Sequence, residues 1–202
     1  MQLLVNAERR AQLYLEPYYN KRRAILKTIP KFWPQALANL AGTMLHLQHA
    51  QDQDALSYLE DIWVSRDKTE PRCFTLEFVS FALCLFFLFF FFDSGVQHFK
   101  SNPYFSDEVL IKEFKYLPPS TADDTPNADG VTPSMLEFDW EQHVAPQAIK
   151  INWKDDSKNL TKLFGRTMGE EGDDMPAEPG SFFNFFEYAD DPFDVSYLLV
   201  VS

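Results

Sequence analysis

Cysteine is scarce in this chain. Cys73 and Cys84 are the two among 202 residues, too few for a disulfide framework and without the spacing of a metal-ligand cluster, a pattern that fits a reducing compartment. Basic charge is short as well. Eighteen Lys and Arg stand against thirty Asp and Glu, for a formal net charge of −12. That balance argues against nucleic acid as a direct partner through phosphate neutralisation and favours a basic one. No apolar run reaches the ~20 residues of a membrane-spanning helix; the longest, VSFALCLFFLFFFF, extends from Val79 to Phe92. The amino terminus, MQLLVNAERRAQ, turns charged before an apolar segment can build, so no secretory signal is expected. A nucleophile elbow, a phosphate loop and a paired CxxC motif are all missing, and no enzyme, metal or cofactor is expected. What is plentiful is apolar side chain: 46% hydrophobic and 16% aromatic, with 20 Phe. A disordered acidic chain lacks such content, and the length predicts one domain, or one domain with an appendage.

At the amino end, Leu3, Ala7, Ala11 and Leu15 recur every four residues with Leu4 beside them, while Glu8, Arg9, Arg10 and Gln12 point elsewhere. This is the stripe of an amphipathic helix. Pro17 is expected to interrupt it; Tyr18, Arg22, Ile25 and Ile29 then form a second periodic face, and Pro30 ends the run. A stripe that begins at residue two without a cap reads as the end of a longer helix that needs a partner. Further on, Ala55, Leu56 and Leu59 have helical spacing, and residues 62–66 read as a strand. Phe74, Leu76 and Phe78 alternate with Thr75 and Glu77 as a half-buried strand.

The Val79–Phe92 run breaks this alternation. A run built almost only from Phe, Leu and Ser is what a pyrimidine-rich tract encodes, and such tracts precede intron acceptors. Val79-Ser80 reads as a donor GTAAGT or GTGAGT in frame, and Gln97 as an acceptor CAG. Removing 79–97 joins FTLEF to HFKSNPYF, placing Phe74, Leu76, Phe78 and Phe99 on one face without interruption. Residues 79–97 are therefore expected to be retained intron. A membrane-anchored adaptor using 79–92 and a non-functional mis-spliced product are the alternatives. Asp194 is followed by another Val195-Ser196, and 191–202 reads as a tail of the same origin.

Residues 118–134 are rich in Pro, Asp, Ser and Thr and are expected to form a solvated, mobile loop. MLEFDWEQHV alternates Leu136, Phe138 and Trp140 with Glu137, Asp139 and Glu141, a strand with one acidic face. AIKINWK gives another short strand, and DDSKNLTKLFGR a polar turn leading into a short helix. GEEGDDMPAEPG is an acidic loop. Ser181 then caps a buried helix bearing Phe182, Phe183, Phe185 and Phe186. His46 and His49, which with Asp52 could be imagined as metal ligands on a helix, read as surface residues. Asn159-Leu160-Thr161 reads as ordinary sequence despite its sequon form.

Four segments in order, EPYYNKRRAILKTIPKFWPQAL, NPYFSDEVLIKEFKYL, INWKDDSKNLTK and PGSFFNFFEY, resemble the nucleosome assembly protein family. Within it they are most similar to the SET or template-activating-factor subgroup of histone chaperones, including fungal members. The resemblance covers about residues 13–190 and implies an α+β earmuff domain over 29–190, an antiparallel sheet backed by helices. A dimerisation helix over 1–28 precedes it, shorter than the family's and carrying Leu3, Leu4, Ala7, Ala11 and Leu15. It also implies core histones as partners, a homodimer through the amino-terminal helix, and a nuclear as well as cytoplasmic location. An acetyltransferase partner is what likeness to fungal members allows. By charge and position, the histone contacts are expected at Glu137, Asp139 and Glu141, at Asp155 and Asp156, and at Glu170, Glu171, Asp173 and Asp174. The family's long acidic tail is missing.

Overall fold

A computed structural model describes residues 2–44, 46–66, 73–80, 102–117, 125–137, 140–167, 178 and 180–189. Helix α1, Gln2–Leu26, is continuous through Pro17, where an interruption was expected. Pro17 lacks the N–H that would bond the Leu13 carbonyl, but Leu13 lies on an exposed segment where water can take that acceptor. Turn bonds from Lys27, Thr28 and Ile29 close the helix. Lys31, in the left-handed region at φ 56°, starts α2, Phe32–Asn39, whose Trp33 and Leu37 are buried. Helices α3, Ala41–Met44, and α4, Ala50–Leu56, follow.

The sheet is antiparallel in the order β1 Leu59–Arg66, β2 Phe74–Ser80, β3 Val109–Tyr116 and β4 Val144–Pro146. Strand β2 alternates as its sequence dictates, with Phe74, Leu76, Phe78 and Ser80 inward. Strand β3 answers with Leu110, Lys112 and Phe114. Phe74 and Phe114 face each other across the ladder with rings stacked 4.4 Å apart, a favourable cross-strand pair. The inward face is covered by α8, Asn184–Glu187, and the Phe182 and Phe183 turn before it, all four phenylalanines of this segment being buried. Lys112, fully buried in the same row, sends its ammonium to the carbonyls of Tyr188 at 2.6 Å and Phe186 at 3.4 Å, so the charge ends on acceptors beyond the core.

The acidic-faced strand over Leu136–Glu141 does not form: Pro133–Leu136 is helix α5 and Trp140–His143 is helix α6. Leu136 and Trp140 are also four apart, so an alternation this short serves a helix as well as a strand. AIKINWK is not a strand either. Pro146 ends β4, and the following segment is held by single bonds, Ile149 N–H to the Phe186 carbonyl and an isolated bridge between Trp153 and Phe105. Of the loop expected over 118–134, residues 118–124 lie outside the described part. Of the remainder, residues 125–130 are exposed, Asn127 Oδ1 accepts from the N–H groups of Asp129 and Val131, and Val131 and Ser134 are buried. Ser181 does not cap α8 directly; its hydroxyl accepts from the Phe183 N–H at 3.2 Å, one turn earlier. Residues 81–97 of the suspected insert and the 191–202 tail are outside the described residues. Among the described residues, no helix is long and apolar enough to cross a membrane.

Candidate functional site

The acidic turn at Asp155 and Asp156 sits on a corner built by two of the sequence segments noted above. In Asn-Pro-Tyr-Phe, Asn102 Oδ1 accepts from the Tyr104 N–H at 2.9 Å, folding the corner on itself. The Tyr104 hydroxyl donates to Asp54 at 2.8 Å, and burial together with that carboxylate pushes its pKa up to about 12, so it stays a phenol donor. Phe105 packs edge-on against Trp153 and Phe183. The partner loop is tied across this corner: Lys154 Nζ donates to the Asn102 carbonyl at 2.6 Å, and Asp107 accepts from both the backbone and side-chain nitrogens of Asn152 at 2.7 Å. Asp155 and Asp156 then project into solvent with their backbone fixed. The Ser157 hydroxyl donating to Asp155 at 2.5 Å is the leading reason its pKa lies below the ordinary carboxylate value, so this carboxylate stays charged into the acid range. Asp156 pairs with Lys162 at 2.6 Å, fully at the surface, where such a pair is easily exchanged for another cation.

Asn159 terminates the turn and starts helix α7, Leu160–Leu163, its Oδ1 accepting from the Lys162 N–H at 3.0 Å and from the Thr161 hydroxyl. It is buried by this role, which makes the sequon structural. Asn159→Ala is expected to cost about 1 kcal/mol, read as a lowered midpoint in urea.

Beneath the corner, Asp52 is buried and joins α4 to the phenylalanine segment: the Ser181 hydroxyl donates to it at 2.6 Å and the Phe182 N–H at 3.2 Å. It shares a helix face with Ala55 and Leu56, three and four positions on, a spacing that marks burial. His46 and His49 are half-buried rather than surface residues, and His49 stacks on Phe164 at 4.0 Å. Burial raises the Asp52 pKa above its ordinary 3.8, against the lowering effect of Ser181, Phe182 and His49. A carboxyl raised in the folded state contributes stability that is full below the unfolded pKa and lost as pH rises through the folded one. Asp52→Asn removes that dependence. Thermal melts at successive pH values from about 4 to 7 should therefore show the parent losing stability relative to the variant.

Of the candidate histone contacts, Glu137, Asp155 and Asp156 are exposed. Asp139, Glu170, Glu171, Asp173 and Asp174, and the side chain of Glu141, lie outside the described residues. Glu137 directly follows α5. Asp52, Asp54, Asp61 and Asp107 are all held by internal hydrogen bonds, so part of the acidic excess belongs to the fold. Among the described residues, no group of His, Cys, Asp and Glu could hold a metal ion.

The sequence model of the nucleosome assembly protein family matches residues 6–195. This chain belongs to that family. Human nucleosome assembly protein 1-like 1 is 26% identical over 166 residues, covering 79% of this chain and 35% of that protein. Human testis-specific Y-encoded protein 3 is 30% identical over 99 residues, 49% of this chain and 26% of that one. The chain thus spans about a quarter to a third of the length of these relatives. Among solved structures, Ccp1 superposes with a TM-score of 0.60 at 20% identity, over 98% of this chain and 80% of that one. Nucleosome assembly protein S of Plasmodium falciparum gives 0.57 at 16%, over 98% and 82%. These likenesses support the fold: an α+β domain with an antiparallel four-stranded sheet backed by helices, as the resemblance implied. The motifs that carry the family's signature are structural in this molecule, forming the corner, the Trp33 anchor and the phenylalanine core.

Proposed function

We propose that this chain is a histone chaperone: it binds core histones through distributed surface carboxylates and assists nucleosome assembly, without bond chemistry. Membership of the nucleosome assembly protein family carries this reading. The net charge of −12 and the rigidly mounted Asp155–Asp156 turn support it. Individual surface attractions are worth only ~0.2–1 kcal/mol, so affinity must come from many and must fall with salt. The reading includes a homodimer through α1, whose Leu13, Tyr14, Leu15, Tyr18 and Ile25 are exposed. Ala11 is exposed too, while the side chains of Leu3, Leu4 and Ala7 lie outside those described. It also includes work in the nucleus as well as the cytoplasm, and an acetyltransferase as a further partner.

Binding of core histones measured across a salt series tests the proposal. Steep weakening with salt is expected. Replacing Glu137, Asp155 and Asp156 together by Gln, Asn and Asn should weaken binding by roughly 3- to 100-fold, three surface pairs at the magnitudes above. Salt-independent binding, or none, overturns it. Light scattering tests the dimer, imaging of the tagged chain the location, and acetyltransferase activity captured with the chain the last partner.

A further inference from the structure

Strand β3 is apolar on both faces in its first half. Leu110 points into the core, and its neighbours Val109 and Ile111 point the other way, where a solvated sheet face carries polar residues. They are 38% and 42% exposed. The register sets Val79 of β2 directly opposite Val109, so the three form one patch rather than scattered positions. On β1 the same outer face is covered: Arg23 and Lys27 of α1 lie on Asp61, and Arg23 on the Trp63 ring. Val109 and Ile111, two strands away, stay open to solvent.

Glu77 stands in the middle of this outer face, opposite Trp63 on one side and Ile111 on the other. It is half-buried, and its carboxylate has neither an ion pair nor a side-chain hydrogen bond among the described residues. A carboxylate held among apolar neighbours is short of hydration and gains more from a cation brought to it than a fully solvated one does. Glu113 is opposite Thr75, which makes it a diagonal neighbour of Glu77, ~7–8 Å away in such a ladder. Its partner Lys115, at 3.3 Å, is as exposed as Glu113 itself, a pair easily exchanged for another cation.

Resting on the histone-chaperone reading above, we infer that the outer face of β2 and β3 docks a basic segment of the histone partner, its Lys or Arg side chains on Glu77 and Glu113 and an aliphatic side chain between them on Ile111, Val109 and Val79. Charge selects this occupant. A second copy of the same face would bring carboxylates against carboxylates, a like-charge contact that costs affinity. A segment mixing cations with aliphatic residues satisfies both features of the face at once. The contact is local, unlike the distributed attraction of the acidic turn, because its apolar part requires register.

Histone binding across a salt series tests this with the parent chain and its Glu77→Gln, Ile111→Ser and Lys115→Gln variants. Glu77→Gln should weaken binding about 3- to 10-fold at low salt and flatten the salt dependence. Ile111→Ser should weaken it about 3- to 10-fold at every salt concentration, because an apolar contact is not screened. Lys115→Gln should tighten it about 2-fold by releasing Glu113. All three positions are at least partly exposed, so each variant should melt within a few degrees of the parent. If the parent binds histones and Glu77→Gln and Ile111→Ser bind as it does, the docking face is overturned while the chaperone reading stands. If the parent binds none, both fall. Two further outcomes also overturn the docking face. A Tm lowered by about 10 °C in Ile111→Ser shows that another part of this chain covers the patch, and a smaller mass for that variant in light scattering shows that a second copy does.

Discussion

Phe186→Ala is expected to lower the stability of the domain by about 3–5 kcal/mol, a large share of the ~5–15 kcal/mol that holds a typical domain folded. Phe186 is fully buried at the centre of the aromatic cluster, with the Phe78 ring edge-on at 5.1 Å and Phe185 at 5.0 Å. It joins α8 to β2, and through its carbonyl, which accepts from the Ile149 N–H at 2.9 Å, it also fixes the segment after β4. Truncation removes a ring from the contact between sheet and backing layer and leaves a void that these neighbours cannot all close. A small cavity of about 10 Å³, lined by Ser80, Phe105 and Leu110, borders the same ring and would merge with the void. Urea unfolding should show the midpoint falling with the slope unchanged, and Tm falling by about 10 °C. Tyr188→Ala, at an exposed position two residues on, should change stability by less than about 1 kcal/mol. Equal effects of the two would show that the cluster is not the core.

Arg23→Ala should cost about 3 kcal/mol and loosen α1 from the sheet. Asp61, on β1, has a side chain wholly removed from solvent; Arg23 reaches it from α1 through both Nε and Nη2 at 2.5 Å, and Lys27 at 3.1 Å. The Arg23 guanidinium also lies 4.4 Å from the centre of the Trp63 ring. Removing Arg23 leaves a buried carboxylate with one partly exposed ammonium, and uncompensated buried charge is the expensive outcome of breaking such a pair. A double-mutant cycle identifies this cause. Asp61→Asn in the Arg23→Ala background should recover at least about 1 kcal/mol, since the unpaired charge is then gone. Additive losses would show that the two residues act independently. Amide hydrogen exchange along α1 should quicken in Arg23→Ala, and Trp63 fluorescence should shift as its cation departs. Because the helix carrying the exposed apolar stripe is fixed at this point, the same variant is expected to weaken the proposed dimer.

Much of this molecule was legible in its letters. Alternation in FTLEF gave β2 with its inward face, and the four phenylalanines of SFFNFFEY gave the buried cover. Helical spacing gave α1 and α4. The misreadings share a cause. Over six residues, Leu136 to Glu141, periods of two and of about three and a half are both satisfied, and only the place where β4 meets β3, at Val144–Pro146, decides between them. Ile151 and Trp153 alternate as in a strand, yet among the described residues they pair only through a single bridge from Trp153 to Phe105. Asp61 resembles any other carboxylate in the sequence, and Asp52 is marked only by its helical spacing to Ala55 and Leu56. Their burial follows from where Ser181, Arg23 and Lys27 arrive from distant parts of the chain.

The sequence by itself determined the class of fold, the apolar faces, the acidic balance and the family, because periodicity, charge and ordered motifs are local properties of the chain. The tertiary structure alone decided which carboxylates are committed to the fold and which face solvent, and that Ser80 and Asn102 meet. Those outcomes depend on contacts between residues far apart in sequence, and no local pattern encodes which distant partner will be present.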